Sequence, residues 1–214
     1  MKAFNIDIVM SRLKTHFYTV KTPIVDLINA QTRDPFKVLV ATILSARTKD
    51  ETTSRAVTEL FRVVHRAHDF DLLSDEELDR IIYQVGFHKT KTKHLKQLPE
   101  VLDTLFSGKI PSAIEDLVQL PGVGRKTANL VRAVAFSLPA ICVDIHVHRI
   151  SNRWGYVQTS TPFETEMALR EILPEQYWLM VNSYIVAFGQ NLCLPRNPKC
   201  QICPIADYCP QLGV

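Results

Sequence analysis

Residues 120–129 read Leu-Pro-Gly-Val-Gly-Arg-Lys-Thr-Ala-Asn. A short helix predicted over 113–119 has to stop at Pro121, because proline cannot continue a helix. A second helix is predicted to start after the two glycines, which allow a ligand to approach the backbone closely. The start of a helix also binds anions through its backbone N–H groups and its dipole. The segment therefore predicts two helices joined by a hairpin that can hold a phosphate. A plain connection between helices is the alternative.

The second helix of this hairpin opens with two basic residues, Arg125 and Lys126. Arg125, Gly122 and Gly124 are candidate ligands for a DNA phosphate. Lys126 has two interpretations: a solvated lysine or further phosphate contact, or a nucleophile. A cation is unfavourable at the positive end of a helix dipole, and partial desolvation would add to that effect. A neutral amine can attack carbon and form a Schiff base. Spacing alone favours the first interpretation.

Four cysteines lie close together near residue 200, with six, two and five residues between them: Cys193, Cys200, Cys203 and Cys209. Thiolates in so short a segment can all reach one metal centre. The intervals are not the paired C-x2-C units usual for structural zinc, and they suit a cubane iron–sulfur cluster. Zinc and disulfides are the alternatives. Disulfides are the weakest, because the first ten residues contain no unbroken apolar stretch of a secretory signal.

Asp144 follows the apolar run 140–143, in which Cys142 is expected to be an inert core residue. The simplest role for Asp144 is the N-cap of the next helix, and a capping residue can also face a cleft. His146 and His148 form an H-x-H pair. No third ligand is spaced near them, so we expect ordinary polar residues rather than a metal site.

Helical signals cover nearly the whole chain. One apolar stripe at helical spacing comprises Ile6, Val9, Met10, Leu13 and Phe17. Asp34-Pro35 is an N-cap followed by proline at the first helical position, and it opens the apolar run 36–46, which predicts a central helix. Capping boxes predict further helix starts at Thr48, Ser74, Ser112 and Thr161. The predicted fold class is all-α.

Composition restricts the possible partners only weakly. The net charge of +3 permits an anionic partner but does not require one. No apolar run approaches the length of a membrane span, and the cysteine usage suits a reducing cytosol. We therefore expect a cytoplasmic monomer without a membrane partner, associated with the nucleoid if the host is prokaryotic.

Three motifs occur here in one order: residues 120–129, Val143-Asp144-Ile145-His146-Val147 and the cysteine segment. Together they resemble endonuclease III, the iron–sulfur branch of the helix–hairpin–helix DNA glycosylases. The similarity extends to residues 34–36 and 44–46. It implies a two-lobed fold with one 4Fe-4S cluster on the four cysteines. A six-helix barrel domain would span 27–138, with the helix–hairpin–helix motif at about 113–137. An iron–sulfur cluster domain would combine 1–26 with 139–214.

The resemblance also implies a function, namely a bifunctional DNA glycosylase and abasic-site lyase that removes oxidised pyrimidines from duplex DNA. Lys126 would be the nucleophile and Asp144 its essential partner. Arg47 and Phe87 would enter the gap left by a flipped-out nucleotide, with Phe87 as an apolar wedge. A second set of phosphate contacts would come from the cluster loop, through Arg196 and Lys199.

The chain departs from the family pattern at three positions. Glutamine is frequent where this chain has Arg47, leucine where it has Phe87, and threonine where it has Ile145. Two other functions stay open, a monofunctional uracil or thymine mismatch glycosylase and a non-catalytic DNA-binding module. Phe87 has the alternative role of a core aromatic residue, and Arg196 and Lys199 that of solvated surface residues.

Overall fold

The computed structural model describes residues 2–20 and 22–214, and within these ranges the chain is helical without any β-strand. This confirms the predicted all-α class. The α-helices are α1 (Ile6–Phe17), α2 (Ile24–Thr32), α3 (Pro35–Ser45), α4 (Asp50–Leu60), α5 (Asp75–Ile82), α6 (His88–Phe106), α7 (Ile114–Leu117), α8 (Arg125–Phe136), α9 (Ile145–Arg153), α10 (Pro162–Ile172) and α11 (Val181–Asn191). Short 3₁₀ helices form at Ala67–Leu72, Glu175–Tyr177, Cys200–Ile202 and Ala206–Tyr208. No helix in the described ranges has both the length and the apolarity that crossing a membrane requires.

The chain divides into two compact units. One is continuous and spans 24–138, and the other joins residues before 24 to residues 139–214. The continuous unit contains α2 to α8, of which α7 is a single turn. The predicted six-helix barrel and cluster domain remain predictions for these two parts of the chain.

The continuous unit is built around α3. Every residue of this helix from Val38 to Leu44 is buried, and α3 packs against α2, α4, α6 and α8. Asp34 starts the helix as predicted, because its Oδ1 accepts a hydrogen bond from the Phe36 amide at 2.9 Å. The apolar run therefore forms the central helix that the sequence predicted.

The discontinuous unit has a core of its own. In α1 the buried residues are Val9, Met10, Leu13 and Phe17, and this face packs against α11. Helix α9 contacts both α10 and α11. Cys142 is buried beside this core, as expected for an inert residue.

Two of the four capping predictions hold. Ser74 forms a complete capping box with Glu77, and the Thr161 hydroxyl accepts from the Glu164 amide at 3.2 Å. The prediction at Thr48 is wrong: α4 begins at Asp50, and the Thr48 hydroxyl accepts from the Gly86 amide instead. The prediction at Ser112 is also wrong, because Ala113 is the N-cap of α7 and provides no side-chain bond.

Candidate functional site

The hairpin at 118–124 connects α7 to α8 and is fixed by two buried side chains, Leu120 and Val123. The Val123 amide donates to the Leu120 carbonyl at 3.1 Å. Between them, Gly122 has φ +77°, a conformation that favours glycine. A Cβ at this position would lie 2.6 Å from Nδ1 of His94. The protein itself therefore requires glycine at 122 on two independent grounds.

The start of α8 is shaped for an anion. Gly124 is the N-cap, offers no side-chain cap, and has open space where a Cβ would stand. The first turn contains no acidic residue, and both Arg125 and Lys126 are exposed there. Positive side chains at the positive end of a helix dipole are unfavourable for folding, so this arrangement indicates a site that serves a negatively charged ligand. Because Lys126 is exposed, the described residues do not supply the partial desolvation expected from the sequence.

Asp144 is the N-cap of α9, as predicted. Its Oδ1 accepts hydrogen bonds from the amides of His146 and Val147, both at 2.9 Å. The residue is half-buried. The two bonds hold the Asp144 carboxylate in one orientation at the start of the helix. Farther along the same helix, Nδ1 of His148 forms a hydrogen bond with the Thr165 hydroxyl at 2.6 Å. A fixed carboxylate can stabilise a positive charge that develops nearby.

Two arginines farther along α9 reach the cysteine segment, and sequence reasoning missed them. Arg149 donates from Nη2 to the Cys193 carbonyl at 2.8 Å. The guanidinium of Arg153, a buried residue, donates to Cys193 Sγ at 3.3 Å and to the Leu194 carbonyl at 2.9 Å. Burial lowers the pKa of Arg149 from its usual value. The spacing of four residues on one helix was the signal that could have identified this pair.

The four cysteines near residue 200 line one pocket, part of it open to solvent. Apolar side chains complete the lining, among them Trp154, Phe188 and Ile205. Burial, together with a smaller contribution from the neighbouring cysteines, raises the pKa of the Cys203 thiol to about 11. Burial also raises the pKa of Cys209. A cationic centre would offset both effects, because a metal binds thiols as thiolates.

The cysteine cavity fits an iron–sulfur cluster. All five cysteines are free thiols. Among the described residues, no three histidine, cysteine, aspartate or glutamate side chains converge as a single metal ion requires. Four thiols around one apolar pocket are the donor set that a cubane iron–sulfur cluster takes. The Arg153 guanidinium donates a hydrogen bond to Cys193 Sγ, and the backbone amide of Gln211 donates one to Cys209 Sγ. Hydrogen bonds to the sulfurs help to set the reduction potential of such clusters.

Arg47 and Phe87 lie together in the continuous unit. The Arg47 guanidinium is 5.4 Å from the centre of the Phe87 ring, and the ring is 60% exposed. The alternative of a core aromatic residue is therefore wrong. Both residues have positive φ, 54° and 58°, which is uncommon for residues other than glycine and costs on the order of 1 kcal/mol each. Strained backbone of this kind is typical of functional sites.

The two remaining candidates, Arg196 and Lys199, lie between Cys193 and Cys200. Both are exposed, and Lys199 is held by a backbone bond from its amide to the Leu192 carbonyl at 3.0 Å. Their guanidinium and ammonium groups are therefore available to solvent or to a ligand. The geometry fits both the predicted phosphate contacts and the alternative of a solvated surface.

This hairpin, together with a cavity lined by four thiols, defines a helix–hairpin–helix protein with a metal centre. Residues 40–175 match the HhH-GPD superfamily of base excision DNA repair proteins. Residues 193–209 match the iron–sulfur binding domain of endonuclease III. The chain therefore belongs to the HhH-GPD superfamily and, within it, to the endonuclease III family. The predicted cofactor, one 4Fe-4S cluster, is confirmed.

Individual relatives support the same assignment. The chain is 43% identical over 181 residues to endonuclease III of Thermotoga maritima, a match that covers 85% of each chain. A solved structure of a non-covalent endonuclease III–DNA complex superimposes with a TM-score of 0.86 at 31% identity, covering 96% of this chain and 94% of that one. A trapped covalent intermediate of endonuclease III with DNA gives 0.78 at 32% identity, covering 88% and 93%.

Proposed function

We propose that the chain is a bifunctional DNA glycosylase and abasic-site lyase that removes oxidised pyrimidines from duplex DNA in base excision repair. The observation that carries the proposal is Lys126 at the basic, uncapped start of the second hairpin helix. An amine at this position is adjacent to the surface on which the hairpin would hold a DNA phosphate. The solved covalent intermediate of endonuclease III with DNA supports this choice, because a covalent step requires a nucleophile.

The chemistry assigned to Lys126 is nucleophilic substitution followed by elimination. The target nucleotide first leaves the base stack, because C1′ is inaccessible within a duplex. The Lys126 amine then bonds to C1′ while the bond to the base breaks, and the base leaves with the electron pair and takes up a proton. Opening of the sugar ring gives a Schiff base. Loss of a proton from C2′ then expels the 3′ phosphate and cuts the strand.

Asp144 is the proposed second catalytic residue. Its carboxylate is fixed by two amide bonds, so it is oriented before substrate arrives. In that role it stabilises the positive charge that develops on the sugar and helps to activate Lys126 as a nucleophile. No reaction step passes through the cysteine segment.

The remaining residues bind DNA or support the residues that bind it. Gly122, Gly124 and Arg125 would contact one backbone phosphate through the hairpin, and Arg196 and Lys199 would contact others. Cys193, Cys200, Cys203 and Cys209 are the proposed ligands of the cluster, which cross-links the segment when bound and so holds its two basic residues in place. We also propose a cytoplasmic location for the protein, with association to the nucleoid if the host is prokaryotic. The expected monomer remains a prediction.

A strand-cleavage assay with three duplexes tests the proposed function. The first contains an oxidised pyrimidine, the second a uracil–guanine mismatch and the third no damage. We expect cleavage of the first duplex on the 3′ side of the lesion without added alkali. Base release that needs alkali to cut the strand would favour a monofunctional mismatch glycosylase. Binding without any product would favour a non-catalytic module.

Replacing Phe87 by alanine should slow excision of a damaged base from paired DNA about 10-fold or more, because unstacking costs a few kcal/mol. Cleavage at a preformed abasic site should change little, since no base has to leave the stack. Single-turnover rates on the two substrates measure the difference.

A suitable control for Phe87→Ala is Leu105→Ala, which removes another large apolar side chain that is 53% exposed in the same unit. This variant should leave both rates unchanged. Equal losses of Phe87→Ala on both substrates would show that Phe87 is not a wedge.

A further inference from the structure

Lys91 is a buried lysine that the proposed chemistry does not use. It lies in the first turn of α6, is only 6% exposed, and belongs to the same unit as Arg47 and Phe87. Its Nζ donates to the carbonyls of Leu44 and Ala46 at 2.8 and 2.6 Å, and lies 3.3 Å from the Thr48 hydroxyl. A buried ammonium with three acceptors is fully satisfied, so its role is structural or positional rather than nucleophilic.

The acceptors of Lys91 form the loop that presents Arg47. Leu44 lies in the last turn of α3 and Ala46 is its C-cap, where carbonyls have no partner within a helix and the dipole is negative. An ammonium is therefore favourable at this end of the helix. Arg47 lies between two of the groups that Lys91 binds, Ala46 and Thr48, so Lys91 fixes the loop on both sides of it.

The same lysine is connected to Phe87. Phe87 is the N-cap of α6, and its carbonyl accepts a hydrogen bond from the Lys91 amide at 3.1 Å. The Gly86 amide donates to the Thr48 hydroxyl at 3.1 Å. A Cβ at Gly86 would stand 2.6 Å from the Arg47 carbonyl, so the two loops touch at the level of the backbone.

We infer that Lys91 is a positioning residue for DNA penetration: its ammonium ties the Arg47 loop to the start of α6 and so holds Arg47 and Phe87 in their stacked arrangement. This rests on the proposed function, because only a DNA-penetrating pair needs such a support. Arg47 and Phe87 both have a left-handed backbone conformation, and they lie close together in space. Such conformations persist only where the surrounding structure holds them. Burial lowers the pKa of Lys91 to about 8, so at neutral pH the group is mainly an ammonium with three donors.

The chain provides a matched control in Lys96. It lies on the same helix, and its Nζ also donates to two backbone carbonyls, those of Phe70 at 2.9 Å and Leu73 at 2.7 Å. Neither acceptor is part of the Arg47 or Phe87 loop. Lys91→Met and Lys96→Met therefore remove the same type of interaction, and only the first removes it beside the penetrating pair.

The activity test compares excision of an oxidised pyrimidine with cleavage at a preformed abasic site. The ratio of the excision rate to the abasic-site cleavage rate should fall about 10-fold in Lys91→Met and stay within about twofold in Lys96→Met. Only Lys91→Met removes charged hydrogen bonds to the loop that contains Arg47. Combining Lys91→Met with Phe87→Ala should lower the ratio by clearly less than the product of the two single effects, because part of the Lys91 effect acts through Phe87.

Hydrogen exchange tests the same inference without DNA. The amides of segments 46–49 and 84–88 should exchange about 10-fold faster in Lys91→Met than in the wild type, and at the wild-type rate in Lys96→Met. If Lys91→Met does not fold, Thr48→Val weakens the same tie and should shift exchange and the rate ratio in the same direction by about threefold.

Several outcomes would overturn the inference: equal effects of Lys91→Met and Lys96→Met, additive effects of Lys91→Met and Phe87→Ala, or no response to Thr48→Val. A wild-type protein that cleaves neither duplex would refute the proposed function instead. In that case the exchange measurement still decides whether Lys91 holds the two loops together.

Discussion

The Lys126→Gln substitution should lower the rate of strand cleavage about 10⁴-fold or more, because removal of a catalytic nucleophile typically has effects of this size. Reduction of a Schiff base with borohydride converts it into a stable protein–DNA adduct, and this adduct should be absent in the variant. The side chain is exposed at the start of α8, so its loss should not lower the melting temperature. Denaturing gel electrophoresis after borohydride treatment measures the adduct directly.

The control for this experiment is another exposed lysine, Lys109, which lies beyond the end of α6. Lys109→Gln should form the adduct at the wild-type rate. Binding of Lys126→Gln to damaged duplex should remain within a few-fold of the wild type, since the hairpin backbone is unchanged. A folded Lys126→Gln protein that still forms the adduct would show that a different amine is the nucleophile.

Asp144→Asn should lower the rate of base release about 100-fold or more, because the fixed negative charge is lost while the shape is kept. Asparagine caps helices as well as aspartate does, so the two amide bonds at the start of α9 should persist and stability should change little. The measurements are a single-turnover rate of base release and a melting temperature on the same preparation.

Asp34→Asn is the matched control for this charge effect. Asp34 caps α3 in the same way, with Oδ1 accepting from the Phe36 amide, and it has no role in the proposed site. We expect wild-type rates from it. Asp144→Ala removes both charge and cap, and should cost about 1 kcal/mol of stability in addition. If Asp144→Asn keeps full activity, Asp144 is a structural cap alone.

Local patterns predicted the fold well where one side chain determines the local structure. The apolar stripe of α1, the proline and glycines of the hairpin, and the cap at Asp34 each act on neighbouring residues, so the sequence contains all the information required. The capping box predicted at Ser74 was correct for the same reason, because its partner Glu77 is only three residues away. Thr48 failed because its hydroxyl is used by partners about 40 residues away, Gly86 and Lys91, and a local pattern cannot register such competition.

The candidate site residues also differ in whether neighbouring or distant parts of the chain determine their surroundings. Lys126 and Asp144 lie in motifs that resemble those of a known family, and the cysteines share one short segment, so the sequence was enough to propose them as site residues. Lys91 and Arg153 were missed because each is a charged residue of an ordinary helix, and only the tertiary structure shows that it is buried against backbone carbonyls. For Lys91 the sequence contains no such signal, whereas for Arg153 the spacing of four residues from Arg149 was the one available.

The discontinuous unit imposes an order on folding during synthesis. Its helix α1 is made before the whole 24–138 unit, and its packing partner α11 is made after it. At a synthesis rate of about 5–20 residues per second, the apolar face of α1 has no packing partner for about 10–30 s. The continuous unit meanwhile has its complete sequence and all the residues of its own buried core.

This delay makes the α1 face vulnerable to aggregation and to proteolysis in the nascent chain. Closing contacts over more than 160 residues is also slow, because loop-closure entropy must be overcome before the contacts contribute. Circular permutants that place α1 directly after the cysteine segment would remove the delay. They should yield more native protein per chain made, without any change in the folded structure.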